Sequence, residues 1–401
     1  MPDVDSSPVF RISVIIPTYN RAAYLREALA SVFAQTFAPQ EVIVIDDGST
    51  DETLQVIQDQ SRPIRFYQQA HKGVAEARNV GLRVASGGLI AWLDSDDLWE
   101  ANFLEAVISL LMSNEAVDGV YTGFTTIDAN GMPLRSSTRT ESSDRLYEAL
   151  VCGNFLVTPS VVVRKVCYDQ VGGFDSQLRM AEDYDMWLRL SGKFHLVGIS
   201  RALVRIRAHA TNTISDIDGL CQARITLLQK HFGVLPDDDD ALPENARIAY
   251  GYAFRAIAIH YIEGGQPDLG WTYLVKASRL HPPILKRLDT YYELALGDQP
   301  RSYRGDVTRL NIATNAAKLL SGLDELFASS AALVQALRGA AYGNAYLALA
   351  MLSDQAGQWG LARRYMLRAL YTYPALVRQR GVVRRFVKLL AGKRLIAAVR
   401  R

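Results

Sequence analysis

The chain has 401 residues, of which 49% are hydrophobic and 21% are charged, a balance that allows a large core and two or three domains. The net charge is only +2, but the segment from Pro374 to Arg401 contains nine Lys or Arg residues and no Asp or Glu. The remainder carries 35 basic and 42 acidic residues, which excludes a body with the positive surface of a nucleic-acid-binding protein.

The cysteines and the N-terminus exclude several other classes. Cys152, Cys167 and Cys221 have no CxxC spacing, which argues against a disulfide framework or a zinc site and indicates a reducing cytosol. Residues 1–10 are polar and acidic, do not resemble a signal peptide, and are expected to be disordered. No apolar run approaches the ~18 residues that a membrane span needs.

The first predicted strand follows Arg11 and runs into a turn. Pro17 is expected to stop this strand, and Asn20 to cap a helix over residues 22–33, where apolar residues recur with helical spacing. Tyr19 lies in the loop at the strand's C-terminal end, where it could stack on a nucleotide base. An ordinary aromatic residue at the edge of the core is an equally good interpretation.

A second strand over residues 41–46 repeats this design. It runs into Asp47, and Ser49 or Thr50 is expected to cap a helix over residues 52–60. A carboxylate at the strand end can accept hydrogen bonds from a uracil imide or from ribose hydroxyls. The alternative for Asp47 is a structural capping role.

A third strand, over residues 65–69, precedes a predicted helix over residues 71–85 that is entered through Gly73. Lys72 and Arg78 could neutralise the charge of a diphosphate, or both could be surface charges on a helix, which is the favoured interpretation for Lys72. Strands that alternate with helices in this way indicate a parallel, doubly wound sheet.

The fourth strand, over residues 89–93, ends in Asp94-Ser95-Asp96-Asp97. Alternate residues of an extended chain point the same way, so Asp94 and Asp96 can face one space beyond the strand's C-terminal end, where ligands bind in open α/β sheets. Carboxylate oxygens suit Mg²⁺ or Mn²⁺ shared with a diphosphate. The alternative is a solvated acidic turn that caps the next helix.

Four ordered motifs carry a resemblance to a known family. Residues 14–21 (VIIPTYNR), 44–51 (VIDDGSTD), 73–81 (GVAEARNVG) and 92–99 (WLDSDDLW) resemble family 2 glycosyltransferases of the GT-A fold. The resemblance implies a nucleotide-sugar donor, with UDP favoured, and Mn²⁺ or Mg²⁺ as cofactor. It implies that Asp96 ligates the metal directly and that the donor site contains Pro17, Thr18, Tyr19, Asp47, Arg78, Asp94 and Ser95.

The segment from residue 100 to 225 is predicted to complete the same domain and to receive the acceptor. Residues 132–145 are polar and are interpreted either as a mobile loop near the acceptor or as a plain hairpin extension. The other expected elements are a helix over 101–114, strands over 119–127 and 154–164, and turns over 128–131 and 172–175.

A predicted helix over residues 181–190 begins with a cluster of acidic residues, which the helix dipole alone would favour. Transfer to a hydroxyl needs a carboxylate base, so one of these residues could also be catalytic. The resemblance implies that the transfer is inverting and that Asp183 is the base, with Glu182, Asp185 and Trp187 orienting it or holding the acceptor. Residues 204–209 resemble the family's R-x-H segment, which implies that His209 approaches the metal or the diphosphate.

The rest of the chain is predicted to be helical. Residues 265–282 align with residues 357–374 at a constant shift of 92, and each copy follows an apolar helix, a pattern similar to tetratricopeptide-type repeats although their usual Trp is missing. This half is interpreted as a packing domain or as a docking surface for a protein partner. The predicted domains are GT-A at 11–225, an acidic linker at 226–245, helical repeats at 246–374 and a basic amphipathic helix at 375–401.

These patterns predict an α/β fold, a GT-A type mixed sheet with helices on both faces, followed by an all-α repeat domain. They favour an inverting transferase that moves a sugar to a glycan or lipid-linked acceptor, as in cell-surface polysaccharide synthesis. The basic tail indicates a cytoplasmic protein held at the anionic inner face of the plasma membrane, or else a solvated end. The alternatives are a degenerate enzyme that acts as a scaffold, or a nucleotidyltransferase, which the lack of a glycine-rich segment after the first strand disfavours.

Overall fold

The computed structural model describes residues 11–208, 216–236, 241–297, 299, 307–328 and 330–399, with the side chains of residue 309 and of residues 390–399 left out. The expected disorder of residues 1–10 and the acidic run 237–240 lie outside the described residues. The chain divides into two compact units, Met1–Leu227 and Leu228–Arg401.

The first unit is built on a nine-stranded mixed sheet with the order β3-β2-β1-β4-β8-β6-β9-β5, in which β7 pairs with β6. The strands β3, β2, β1 and β4 are parallel, as the alternation of strands and helices predicts. The strand bounds are β1 Ile12–Thr18, β2 Glu41–Asp46, β3 Arg65–Gln68, β4 Leu89–Trp92, β5 Leu98–Trp99, β6 Gly119–Ile127, β7 Pro133–Ser137, β8 Val161–Arg164 and β9 Leu196–Arg207.

Helices cover both faces of the parallel part of this sheet. Val14 and Ile16 of β1 belong to one core cluster with residues of α1 and α4, whereas Ile15 faces the opposite side and lies against Gly81 of α3. This alternation of side chains buries β1 completely. The helix bounds are α1 Ala22–Phe33, α2 Thr53–Gln58, α3 Val74–Val84, α4 Phe103–Ser113, α5 Ser143–Val151, α6 Lys165–Val171, α7 Glu182–Ser191 and α8 Ile217–Phe232.

The expectation that Pro17 stops the first strand is wrong. β1 continues to Thr18, and Pro17 pairs with Ile45 of β2. A proline is tolerated here because it removes only one backbone donor close to the strand end, and the Asp47 amide still donates to the Thr18 carbonyl at 2.9 Å.

The expectation that Asn20 caps α1 is also wrong. Asn20 adopts a left-handed conformation with φ of 50°, and its side-chain oxygen accepts a hydrogen bond from the Thr50 amide at 2.8 Å. The first turn of α1 is capped instead by Asp51, whose carboxylate accepts from the Ala22 amide at 2.9 Å. The same carboxylate accepts from the Thr53 amide at 3.1 Å, so Asp51 serves the starts of both α1 and α2.

Three further segments differ from the expectations. The hairpin interpretation of residues 132–145 is confirmed as far as Ser137, where β7 pairs with β6, but α5 was not expected. Within the predicted strand 154–164 only β8 is paired as a strand, and a short 3-10 turn containing Pro159 precedes it. Helix α8 continues to Phe232, so the predicted linker over 226–245 is helical in its first part.

The second unit is all-helical in its described residues, as expected. No helix among those residues combines the length and apolar character that would let it cross a membrane. Short 3-10 segments lie at Pro282–Lys286, Val307–Arg309 and Pro374–Arg378. The helix bounds are α9 Glu244–Glu263, α10 Pro267–Leu280, α11 Leu288–Leu296, α12 Ile312–Ala328, α13 Ala332–Gln335, α14 Arg338–Gln355, α15 Trp359–Thr372 and α16 Arg380–Val399.

The internal repeat extends further than the sequence alignment. Helices α9 and α10, the 3-10 segment Pro282–Lys286 and α11 correspond to α14, α15, the segment Pro374–Arg378 and α16, all at the shift of 92 residues. The basic tail is therefore not a separate element: Val382 and Leu389 of α16 are buried in the core of this unit. The predicted division between 246–374 and 375–401 thus falls inside one packed domain.

Each copy brings its first two helices into close contact at a glycine. A β-carbon added to Gly251 would lie 2.5 Å from Cβ of His281, and one added to Gly343 would lie 2.3 Å from Cβ of Tyr373. Both distances are too short for a real side chain, so these positions require glycine for packing.

We therefore expect Gly343→Ala to lower the free energy of unfolding of the helical unit by about 1–3 kcal/mol, because the helices must separate. The matched control is Gly360→Ala on α15, where no atom lies within 4 Å of the added carbon. That change should raise the stability by up to about 1 kcal/mol through the lower backbone entropy of the unfolded chain. Urea unfolding followed by helical circular dichroism measures both, and equal effects would contradict the packing explanation.

Candidate active site

The predicted donor residues lie where the parallel strands end. β1 pairs with β2 and with β4 in parallel register, so the loops after Thr18, Asp46 and Trp92 meet at one edge of the sheet. The start of α7 also reaches this edge, because Glu182 is bonded to Arg78 and Arg78 is bonded to Asp94. The structure thus brings Asp94-Ser95-Asp96, hereafter the DxD segment, together with the acidic helix, although Asp94 and Glu182 are 88 residues apart in the sequence.

One side of the site is formed by Tyr19, His71 and Asp47. The rings of Tyr19 and His71 are stacked, with centroids 4.1 Å apart, and His71 Nδ1 lies 2.8 Å from Asp47 Oδ2. The Asp47 carboxylate also accepts from the backbone amides of Lys72 at 2.9 Å and Gly73 at 2.8 Å. Asp47 therefore holds the loop that enters α3. Its contact with a nucleoside stays a prediction.

His71 is a residue of this site that the sequence analysis missed. It was read only as the start of a predicted helix, whereas the structure places it in the loop before α3. Its side chain is exposed, so the stacked pair of rings borders open space at the sheet edge. The signal that could have found it is its position two residues before Gly73, in the loop that Asp47 holds after β2.

Arg78 is the centre of the site. Its guanidinium is buried, donates to Glu182 Oε1 at 2.6 Å and to Asp94 Oδ1 at 2.8 Å, and lies over the ring of Phe174 at 5.3 Å. Burial by itself would lower the pKa of Arg78, but the charges of Asp94 and Glu182 outweigh it and hold the pKa above its usual value. Arg78 is therefore a permanent cation between the donor loop and α7.

Asp183 lies beside this ion chain. Burial first, and then the negative charge of Glu182, raise the pKa of Asp183 to about 7, although Arg78 acts in the opposite direction. Its Oδ1 accepts from the Tyr184 amide at 2.7 Å, and Asn154 donates to Oδ2 at 3.4 Å. A carboxylate with a pKa near neutrality is suited to take up a proton at physiological pH.

The other residues of the acidic helix differ in their surroundings. Asp185 is fully buried, and Arg189 donates to its Oδ2 at 2.9 and 2.7 Å. Arg189 also donates to the carbonyl of Val171 at 2.8 Å, so this pair supports the turn before Phe174. The predicted role of Asp185 toward an acceptor stays a prediction, and in this structure the side chain is engaged in an ion pair.

Three buried polar atoms of the predicted site have no hydrogen-bond partner among the described residues. They are Thr18 Oγ1, Arg78 Nε and Trp187 Nε1. Buried polar groups are nearly always paired, so a ligand or water could complete the hydrogen bonding of these atoms. All three belong to residues that the sequence analysis predicted for the site. Ser95, another predicted residue, is buried but is not among the side chains with an unpaired polar atom.

Asp96 is partly exposed and forms an ion pair with Arg21. Among the described residues, no three His, Cys, Asp or Glu side chains are grouped to hold a metal by themselves. Mg²⁺ and Mn²⁺ are commonly held by one or two carboxylates together with substrate phosphates, and the partly exposed Asp94 and Asp96 fit that donor set. His209, the other predicted ligand, lies outside the described residues.

Arg207 holds the DxD segment in place, and the sequence analysis did not identify this residue. The Arg207 side chain is buried, and its Nε donates to the carbonyl of Asp96 at 3.0 Å. Its Nη atoms donate to Glu27 Oε2 at 2.7 Å and to the carbonyl of Ala129 at 2.9 Å. The Arg207 amide donates to Asp97 Oδ1 at 2.8 Å, so one residue at the end of β9 holds both Asp96 and Asp97.

Arg207→Met should lower the free energy of unfolding of the first unit by about 1–3 kcal/mol, because the carbonyl of Asp96 loses its buried hydrogen-bond donor and Asp97 loses a nearby cation. The control is Arg205→Met, two residues earlier on β9, where an exposed ion pair with Glu100 contributes at most about 1 kcal/mol. Urea unfolding of both variants measures the difference. Equal losses would mean that the buried interactions of Arg207 do not stabilise this segment.

Sequence comparisons find known proteins that resemble about half of this chain. Residues 13–160 match the sequence model of Glycosyl transferase family 2. An uncharacterized glycosyltransferase of Rickettsia bellii is 33% identical over 205 residues, which are 51% of this chain and 29% of the relative. Chondroitin synthase of Escherichia coli is 30% identical over 207 residues, which are 50% of this chain and 29% of that enzyme.

Among solved structures, the mannosyltransferase PcManGT of Pyrobaculum calidifontis, in complex with GDP-Man and Mn²⁺, is 18% identical and has a TM-score of 0.48. The superposition covers 82% of this chain and 91% of that one. This chain spans only about three tenths of the length of the two curated relatives.

The matched region contains β1 to β4 with their loops, the DxD segment and the mixed sheet as far as the 3-10 turn before β8. The relatives extend the similarity over about half of the chain. Residues 13–160 of the first unit are therefore similar in sequence to glycosyltransferase family 2.

Proposed function

We propose that this chain is an inverting, Leloir-type glycosyltransferase that moves a sugar from a nucleotide-diphosphate donor, with UDP favoured, to a hydroxyl of a glycan or lipid-linked acceptor. The observation that carries the proposal is the buried ion chain Asp94–Arg78–Glu182. It joins the strand end expected to bind the donor to the helix that carries Asp183, a carboxylate with a pKa of about 7.

The donor would occupy the edge where the parallel strands end. Tyr19, stacked on His71, offers an aromatic face for the base, and Thr18 Oγ1 is a buried hydroxyl without a partner among the described residues. Arg78 places a positive charge beside Asp94, where the diphosphate is expected. It would stabilise the negative charge that develops on the diphosphate as its bond to the sugar breaks. These contacts would orient the donor so that its anomeric carbon faces α7.

Asp94, Asp96 and His209 would hold Mn²⁺ or Mg²⁺, which when bound stabilises the negative charge of the leaving diphosphate. Arg21 contacts Asp96 in the structure and would have to release it or share it with the ion. The remaining ligands would be oxygens of the diphosphate and water.

An inverting transfer is a single displacement, so the acceptor hydroxyl attacks from the side opposite to the leaving group. Asp183 would accept the proton of that hydroxyl as the new bond forms. Its raised pKa makes it a better base than an ordinary aspartate while leaving a useful fraction ionised near pH 7. Glu182 and Trp187, on the same helix, would orient the base and the acceptor.

The rival proposal is a degenerate enzyme that acts as a scaffold, with a protein partner bound to the helical repeats. The buried cation at Arg78 and the raised pKa of Asp183 support the catalytic reading, since a scaffold has no use for either. The same observations disfavour the nucleotidyltransferase alternative, which needs no base opposite the donor.

We expect Asp183→Asn to keep the affinity for a nucleoside diphosphate and to lower the rate of sugar transfer about 10²- to 10⁴-fold, because only the proton acceptor is removed. Calorimetric titration of UDP and GDP, each with and without Mn²⁺, measures binding. Release of UDP or GDP from the nucleotide sugar, to an acceptor or to water, measures turnover.

The control is Asp144→Asn, which changes an exposed carboxylate in the first turn of α5 and should leave both quantities unchanged. Equal loss of binding and turnover in Asp183→Asn would argue that Asp183 supports the structure of the site. Failure of the unmodified chain to bind any nucleoside diphosphate would favour the scaffold.

A further inference from the structure

The two copies of the helical repeat differ in which apolar side chains they bury. In the first copy Leu285, Tyr291 and Ala295 are fully buried. The equivalent residues of the second copy, at the shift of 92, are Val377, Val383 and Val387, which are 55%, 40% and 57% exposed. The second copy thus has apolar side chains exposed to solvent at three positions whose equivalents in the first copy are buried.

Packing explains the difference. In the first copy α11 lies against α12 and α14, and its apolar residues join the core of the unit. In stacked repeats each unit buries its face against its neighbour. Helix α16 occupies the place of α11, but within the described residues it packs mainly on α15 and the segment Pro374–Arg378. One side of α16 is therefore unpartnered in this structure.

The exposed side of α16 is also basic. Arg380, Val383, Arg384 and Val387 follow the three- and four-residue spacing of a single helix face, and all four are exposed. From residue 355 to the C-terminus the sequence has twelve Lys or Arg residues and no Asp or Glu, and ten of the twelve are Arg. We call these four residues, together with Val377, the α16 outer face.

We propose that the α16 outer face docks on an anionic phospholipid surface. The positive charge of this face distinguishes between two possible partners, a second copy of this chain and a phospholipid surface. A second copy of this face would bring like charges together, whereas a phospholipid surface supplies phosphates that guanidinium groups bind in a bidentate manner. The valines would enter the boundary between headgroups and acyl chains, as in helices that lie in the membrane interface.

The absence of acidic residues after Asp354 supports this assignment. Asp354 lies 3.7 Å from Lys388 and 4.0 Å from Arg385, so it neutralises the inner side of α16 and leaves Arg380 and Arg384 outside that contact. The helix is thus anchored to the domain through one side and presents cations and valines on the other. A solvated tail would not need buried anchors such as Val382 and Leu389.

This inference deepens the proposed function, on which its biological meaning rests, because it gives the transferase a means of reaching a lipid-linked acceptor. The docking surface belongs to the second unit, and no residue of the donor site contributes to it. Binding to lipid and binding to nucleotide can therefore fail separately.

Co-sedimentation of the full chain with vesicles tests the proposal. The chain should bind vesicles that contain phosphatidylglycerol and phosphatidylcholine, and should not bind phosphatidylcholine alone. The double variant Val383→Ser, Val387→Ser should lower the partition coefficient about tenfold, since two apolar side chains leave the interface. Arg380→Gln with Arg384→Gln should lower it roughly 10- to 30-fold, and added salt should weaken binding of the unmodified chain.

The matched control is Val275→Ser, an exposed valine on α10 of the first copy, which should bind as the unmodified chain does. All substituted residues are exposed, so unchanged helical circular dichroism is expected and confirms folding. Nucleotide titration of the same variants should be unaltered. Absence of binding to anionic vesicles, unchanged binding of the double valine variant, or self-association that the valine changes abolish would overturn the proposal.

Discussion

The buried guanidinium of Arg78 is the interaction on which the rest of the site depends. A cation is stable in the interior only when its partners are well placed, and here two carboxylates from distant segments supply them. One partner follows β4 and the other begins α7, so the donor loop and the acidic helix cannot move apart without leaving an unpaired buried charge. The neighbouring Asn79 adds a further link, since it exchanges two hydrogen bonds with the backbone of Phe174.

This arrangement also sets the chemistry of Asp183. Arg78 directs its hydrogen bonds to Asp94 and Glu182, so its charge lowers the pKa of Asp183 less than desolvation and the neighbouring Glu182 carboxylate raise it. Its pKa therefore rises toward neutrality rather than falling, as it would next to a free arginine. The ion pairs of Arg78 that connect the site therefore also influence the pKa of Asp183.

Much of this could be predicted from the sequence, wherever the signal is local. The apolar spacing of residues 22–33 and the β-branched run over residues 119–127 predict α1 and β6 with the bounds that the structure has. The interactions that were missed join residues far apart in the chain. Asp51 caps a helix that begins 29 residues earlier, and Arg207 holds a segment more than 100 residues away. Such contacts depend on how the sheet brings its strands together, which periodicity and propensity do not encode.

The internal repeat of the helical unit is a second case in which packing could not be predicted from the sequence. The alignment of the two copies identifies equivalent helices, but only the packing distinguishes Tyr291, which is buried, from Val383, which is exposed. The sequence suggested a separate basic tail, because the basic residues of this segment are evident in the sequence whereas the burial of its apolar residues is not. The structure instead makes that tail the third helix of a copy, with one side in the core and one side free.

The measurement that tests the account most directly is the pH dependence of donor turnover, as kcat/KM, for the unmodified chain and for Glu182→Gln. Asp183 must be ionised to accept a proton, so the rate should rise with pH through about 7 and level off above it. Glu182→Gln removes the negative charge that helps to raise this pKa, so the rising limb should move to lower pH by roughly one unit. A limb that stays in place or moves to higher pH in this variant would contradict the claim that the ion chain around Arg78 tunes the base.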